Sequence, residues 1–326
     1  MDSDALKTFL MVHRGGGVSN AARALLRSQP AISRRIALLE QELGVPLFER
    51  VAGRAMLSDA GRVLVPYAER AVAATQDAEN AVRALARQNV GPVSFAVTGT
   101  LAGGRLSAVL KRFANEHPDV NLTLRTATST EVSDLIGRGE ATIGLRYDRD
   151  ASRDLDCELL FAEPLRVVCA PDHPLAGRRV ARLADLREQR WIAFPEIPGR
   201  REIGASHVSA LFLSHGLGDI DWTPVDSLTA QKRLVEAGFG IALLSEGNVA
   251  EELRFGAIST IRVGNLAAHH NVVVVTRRGG FLSVASRRLL ELIRTDYKPA
   301  KSAREAAHKP KPARVRDRQT KRSRTA

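Results

Sequence analysis

The chain has 326 residues, 44% of them apolar and 26% charged, an ordinary globular make-up with room for two or three domains. Two cysteines cannot frame a disulfide scaffold, no stretch nears the ~18 apolar residues of a membrane helix, and the N-terminus lacks a signal-peptide pattern, so secreted and membrane-spanning classes are excluded and a cytoplasmic setting is expected. The net charge of +12 is uneven, with +3 over residues 1–90, zero over 91–297 and +9 over the last 29, so a polyanionic partner is favoured only at the two ends.

The first sixty residues read as short helices. Leu6, Phe9, Leu10 and His13 share one helical face, and Gly15, Gly16 and Gly17 break that helix. Ser19 or Asn20 is the expected cap of a second helix carrying Ala21, Ala22 and Leu25, and Ser28 of a third. In the third, Ile32, Ile36, Leu39 and Leu43 recur at helical spacing before Gly44 and Pro46 end it. Gly53 and Arg54 read as a tight loop.

From Asp59 to Gln88 the pattern is one long helix. Ala60, Leu64, Tyr67, Ala71, Ala74, Ala78, Ala81 and Leu85 alternate at four and three, a heptad seam suited to packing two chains together. Gly91-Pro92 stops it.

Beyond Val93 strands and helices alternate, which predicts parallel βαβ units. Expected strands are 93–97, 120–124, 143–145, 165–170, 191–194, 221–225, 241–244 and 272–276. Expected helices lie around 106–113, 132–136, 204–215, 229–236 and 282–294. The Lys/Arg/Pro/Ala-rich segment 298–326 has too few large apolar residues to offset its ordering entropy and reads as disordered.

The second and third helices form a helix-turn-helix candidate over 18–37. The start of its second helix would enter the DNA major groove, bringing Ser28, Gln29, Pro30, Ser33 and Arg34 to base edges. Gln29 suits adenine, and Arg34 suits guanine or a phosphate. Arg50 and Arg54 are placed for the backbone or minor groove.

These residues resemble a particular family. The string Ala21-Ala22-x-x-Leu25-x-x-Ser28-Gln29-Pro30-Ala31-x-Ser33-x-x-Ile36-x-x-Leu39-Glu40-x-x-Leu43-Gly44-x-x-Leu47-Phe48-x-Arg50 looks like the winged helix-turn-helix of LysR-type transcriptional regulators. Leu57-Ser58-x-Ala60-Gly61 is similar to the close of their wing, with Ser where Thr is commoner. Asp172-His173-Pro174-Leu175 and Gly238-Phe239-Gly240-Ile241-Ala242 extend the likeness, which leaves out only the tail.

The resemblance implies an α/β fold with four parts: a winged helix-turn-helix (1–58), a linker and dimerisation helix (59–90), a two-lobed effector-binding domain of periplasmic-binding-protein type (91–297) and the basic tail (298–326). Lobe one would comprise 93–162 and 268–296, and lobe two 163–267. The implied partners are double-stranded DNA, a small-molecule effector and further copies of the chain in a homodimer or homotetramer. The family's cleft maps onto Thr98, Thr100, Ser129, Arg146, Phe194 and Ser227. Hydroxyls and helix-start N–H groups suit an anion, and Arg146 would suit a carboxylate. Thr100 and Ser129 are equally readable as helix caps, and Arg146 as half of an ion pair. The family often has Asp at the position of Thr142, which leaves the bonding of that loop open.

Cys157 and Cys169 do not match the cysteine pattern of the family's peroxide sensors, so both are expected as buried thiols. No metal-binding spacing, catalytic constellation or cofactor motif is found, and no metal, cofactor or enzymatic activity is expected. The rival readings are an α/β small-molecule-binding or enzymatic protein with a helical dimerisation arm, and a nonspecific DNA binder driven by the tail.

Overall fold

The computed structural model describes residues 1–51, 54–86, 92–195, 203–220 and 222–297. The basic tail, and the disorder expected of it, lie outside the described residues.

The head is built from α1 (Ser3–Arg14), α2 (Val18–Ala24), α3 (Gln29–Leu43) and a two-stranded antiparallel wing of β1 (Phe48–Val51) and β2 (Arg54–Leu57). Asp2 caps α1, accepting from the Ala5 N–H, and Ser28 caps α3, accepting from the Ala31 N–H. Neither Ser19 nor Asn20 caps α2. Gly17 takes that place, and the Asn20 amide reaches back to the Gly15 carbonyl at 2.6 Å. The head core joins Leu6, Phe9, Leu10 and Val12 to Ala21, Ala22, Ile32, Ile36, Leu39 and Leu47. His13 and Leu43, though at the same helical spacing, are exposed, and Val12 and Leu39 are the last buried positions of the two stripes.

α4 (Asp59–Ala86) carries the head. Its Ala68 closes the head core, with Ala60, Leu64, Val65 and Val72 packed alongside. A Cβ at Gly61 would sit 2.2 Å from the Leu47 carbonyl oxygen, so only glycine permits this approach of helix to wing. The expected seam is therefore divided. Its first members serve the head, whereas Tyr67, Ala71, Ala74 and Ala78 face outward with Val63 and Val82 in a stripe at helical spacing. The side chain of Leu85 lies outside the described residues.

The remaining chain forms two α/β lobes. In lobe one, β3 (Val93–Thr98) pairs in parallel with β4 (Leu122–Ala127) and β5 (Ile143–Tyr147), with α5 (Gly104–Glu116) and α6 (Ser129–Gly137) as crossovers. β4 is the edge strand and is largely exposed, Leu124 included. The Thr142 N–H and hydroxyl both donate to the Ser94 carbonyl at 2.8 Å, so threonine closes its own loop.

The principal difference from expectation is β6 (Leu155–Cys169), one 15-residue strand where only its end was foreseen. It runs through both lobes. Lobe two adds β7 (Arg179–Val180), β8 (Trp191–Ala193), α7 (Ile203–Ser214), β9 (Trp222–Pro224), α8 (Leu228–Glu236), β10 (Ile241–Ser245), α9 (Ala250–Phe255) and β11 (Ser259–Val263). The chain returns through β12 (His269–Arg277) to α10 (Val284–Tyr297). β6 pairs antiparallel with β12 as far as Pro164 and with β10 from Leu165 onward. The sheet is thus mixed rather than wholly parallel, because two strands cross between lobes. Cys157 and Cys169 lie near opposite ends of β6, about 40 Å apart at strand rise, and cannot bond to each other. Cys169 is buried, with its thiol pushed up to about 11 by desolvation and by nearby Asp172, whereas Cys157 is only half-buried.

Gly61→Ala is expected to destabilise the head by about 1–3 kcal/mol through overpacking. Gly137→Ala, where the added methyl meets nothing within 4 Å, should be neutral or slightly stabilising. Thermal denaturation of the two variants checks this.

Candidate functional site: an exposed helix start and an inter-lobe cleft

Two surfaces carry chemistry. The first is the start of α3. Ser28, Gln29, Pro30, Ser33 and Arg34 are all exposed there, on the side opposite Ile32, Ile36 and Leu39. Pro30 sits in the first turn, where a missing N–H costs little. The two adjacent arginines part ways. Arg35 is paired with Asp4 at 3.2 Å, whereas Arg34 has no ion-pair partner among the described residues. Arg50 is exposed on β1, and Arg54 lies on β2 paired in register with Val51. The helix start and β1 thus present polar and cationic groups, with few internal obligations among the described residues, an arrangement suited to a polyanionic groove.

The second surface is a cavity of about 510 Å³ between the lobes, within the usual size range of small-molecule sites. Its walls mix apolar groups such as Leu165, Val208, Trp222 and Leu243 with the hydroxyls of Thr98, Thr100, Tyr147 and Ser245. Thr98, Thr100 and Phe194 line it directly. Ser129, Arg146 and Ser227 do not. Ser129 is wholly buried behind Thr98, 3.1 Å from its hydroxyl, and accepts from the Tyr147 N–H. Ser227 caps α8, accepting from the Ala230 N–H, while its neighbours Asp226 and Leu228 reach the wall.

Arg146 requires a correction. Its side chain is 1% exposed and turned away from the cleft toward α6. One amino group is 2.5 Å from Asp150 and also donates to Ser133, and Nε donates to the Tyr147 carbonyl. A guanidinium so committed cannot receive a ligand carboxylate. Burial opposes ionisation of Asp150, yet the Ser152 N–H, the Ser133 hydroxyl and Arg146 together hold its carboxyl below the ordinary value. Among the described wall residues there is neither Lys nor Arg.

Sequence reading missed the polar centre of the cleft. Thr100 donates to the Tyr147 hydroxyl, which donates to Glu163 on β6, both at 3.3 Å. Ser245 and the Gly247 N–H reach the same carboxyl from lobe two. A side chain at Gly247 would collide with it, since a Cβ there lies 2.5 Å from Glu163 Oε1. Desolvation raises the Glu163 pKa despite these donors, and burial also raises that of the Tyr147 phenol. Beside them the His270 ring lies 4.7 Å from the Tyr147 ring and is 4.8 Å and perpendicular to that of His207. Desolvation lowers the His270 pKa to about 4, so the ring is neutral near pH 7. These groups come from distant segments, and no spacing in the sequence announces them.

Arg146→Met is expected to cost about 3 kcal/mol, by stranding Asp150 and Ser133, and to lower the melting temperature. An unchanged melting temperature would contradict the structural role. For Glu163 the folded pKa is raised, so its contribution is complete below the ordinary glutamate value of about 4.3 and is lost as pH rises through the folded value. Denaturation of Glu163→Gln across a pH series should therefore show the variant gaining on the parent as pH rises.

Comparison with known proteins finds family patterns over both parts of the chain. The pattern described as "Bacterial regulatory helix-turn-helix protein, lysR family" matches residues 3–62, and the "LysR substrate binding domain" matches 86–298. The RuBisCO operon transcriptional regulator of Allochromatium vinosum is 27% identical over 290 residues, covering 88% of this chain and 94% of that one. An uncharacterized HTH-type transcriptional regulator of Escherichia coli (strain K12), YeiE, is 30% identical over 287 residues, covering 88% and 94%. The crystal structure of CbnR, a LysR family transcriptional regulator, superposes with a TM-score of 0.61 at 26% identity, covering 92% of this chain and all of that one. Full-length CbnR complexed with its target DNA gives 0.52 at the same identity, covering 91% and 100%. With an exposed helix-turn-helix at one end, a ligand-sized cleft at the other and family patterns over both, this chain belongs to the LysR family of transcriptional regulators.

Proposed function

We propose that the chain works in the cytoplasm as a DNA-reading switch, acting by binding rather than by turnover. Ser28, Gln29, Pro30, Ser33 and Arg34 read bases, and Arg50 and Arg54 hold the backbone. The observation that carries this reading is Arg34 at an exposed helix start, without an ion-pair partner among the described residues, beside an Arg35 already engaged by Asp4. The division proposed is 1–58 for DNA, 59–90 for association and 91–297 for the effector. The outward stripe of α4 from Val63 to Val82 joins two copies, and dimers pair again where a tetramer forms.

The effector we infer has an apolar body and a hydrogen-bonding end. The hydroxyl-rich wall and the aromatic groups Phe194 and Trp222 support this. With Arg146 committed elsewhere, an anionic effector would depend on N–H groups and hydroxyls. Binding shifts the population of lobe arrangements, and the heads with it, only if the effector prefers one arrangement.

Three outcomes are expected. DNase footprinting upstream of the chain's own coding region should give a bounded, pseudo-palindromic protection that a 1–297 truncation retains. Arg34→Ala should weaken specific binding by about 1–3 kcal/mol and relax base preference, whereas Arg54→Ala should weaken all sequences alike. Ala74→Glu on the outward stripe should lower the oligomeric state seen by analytical ultracentrifugation. Loss of all binding with the tail would favour a nonspecific architectural binder instead.

A further inference from the structure

Asp148, His207 and His270 come together where the lobes meet. One ligand-capable atom from each lies within 4.8 Å of the others. The three arrive from different elements, with Asp148 just after β5, His207 on α7 of lobe two and His270 on β12. They stand 59 and 63 residues apart, so no sequence motif marks them. From this convergence we propose a binding site for a divalent late first-row transition metal, of which Zn²⁺ is the representative, bridging the two lobes at the edge of the cleft.

The donor set carries the choice of metal. Two imidazoles and one carboxylate suit Zn²⁺ and its neighbours, whereas Mg²⁺ and Ca²⁺ favour all-oxygen shells. His270 is 5% exposed, and its Nδ1 has no hydrogen-bond partner among the described residues, a buried polar atom without a structural task there. Asp148 is oriented from behind. The Asn271 amide donates to its Oδ1 at 3.0 Å, and the Asp148 N–H donates to the Asn271 carbonyl. That leaves Oδ2 facing His207 Nδ1, 3.8 Å away. An outer group that fixes one carboxylate oxygen and frees the other is the usual support of a metal ligand.

The distances also give the site a mechanical consequence. Tetrahedral zinc with bonds of about 2.0–2.1 Å sets ligand atoms about 3.3 Å apart. The cluster is looser than this by up to about 1.5 Å, and His207 is its one member from lobe two. Metal binding would draw α7 toward β5 and β12 and narrow the cleft. Three protein ligands leave a fourth position open, and His270 itself, with Val208 next in sequence to His207, lines the cavity.

The metal site itself does not depend on the effector reading. The test is titration of the untagged full-length protein with Co²⁺, followed by its visible d–d absorption, and competition with Zn²⁺. The expected result is one saturable site per chain. Asp148→Asn and His207→Gln should each weaken it roughly tenfold or more. His269→Gln, on the exposed side of the same strand, should leave it unchanged. His207 is half-buried on a helix face, so its variant is expected to fold, which circular dichroism verifies. Absence of a saturable spectrum, or equal binding by parent and both cluster variants, would overturn the proposal. The metal-free DNA footprint reports separately on the regulator reading and is indifferent to this outcome.

Discussion

β6 is shared. One strand of 15 residues pairs with β12 from Leu155 to Pro164 and with β10 from Leu165 to Val168, so both lobes hang on the same run of backbone. A shared strand permits bending near Glu163 and Pro164 but no independent drift of the lobes. The polar groups around that point follow from it. Glu163 is buried because the strand carries it through the seam between lobes, and its hydrogen bonds must then be met from both sides. Tyr147 and Thr100 answer from lobe one, Ser245 and the Gly247 N–H from lobe two. Opening the cleft therefore loosens a hydrogen-bonded carboxyl as well as apolar contact.

The same economy joins the cleft to the head. Asp77 of α4 takes an ion pair from Arg277, at the end of β12, and accepts from the Phe281 N–H at 3.1 Å. A Cβ at Gly139 would lie 3.2 Å from that of Ala73, a close seat for α4 beside lobe one. The strand that lines the cleft at His270 thus ends on the helix that carries the DNA-facing head. A shift in β12 has a short, side-chain-defined route to α4.

Local periodicity made much of the fold legible. Ile32, Ile36 and Leu39 fall at the spacing of one helical face, and that face is the head core. The parallel part of lobe one could be read for the same reason, since strand, helix and strand follow in order. β6 could not. Its partners β12 and β10 lie far downstream, and its alternation is broken at Leu159 and Leu160, where the pairing with β12 shifts register. Arg146 is readable from its type either as a ligand group or as half of an ion pair, and the folded chain, which turns it onto Asp150 and Ser133, favours the second. The heptad seam was half legible, because periodicity marks an apolar face but does not say which neighbour covers it. The cleft centre was unreadable, since Tyr147, Glu163, His207 and His270 have no mutual spacing to detect.

Arg14, at the end of α1, bonds Glu69 of α4 at 2.9 Å and Glu140 beyond α6 at 3.0 Å. Arg125 and Arg138 meet the same Glu140, so head, linker helix and lobe one share a partly exposed ionic junction. Such a junction weakens as ionic strength rises. The attraction of the head for phosphates weakens as well, by a separate mechanism. The slope of DNA affinity against salt therefore combines two processes, counterion release at the groove and release of the head from its own body. Counting phosphate contacts from that slope alone would miscount them.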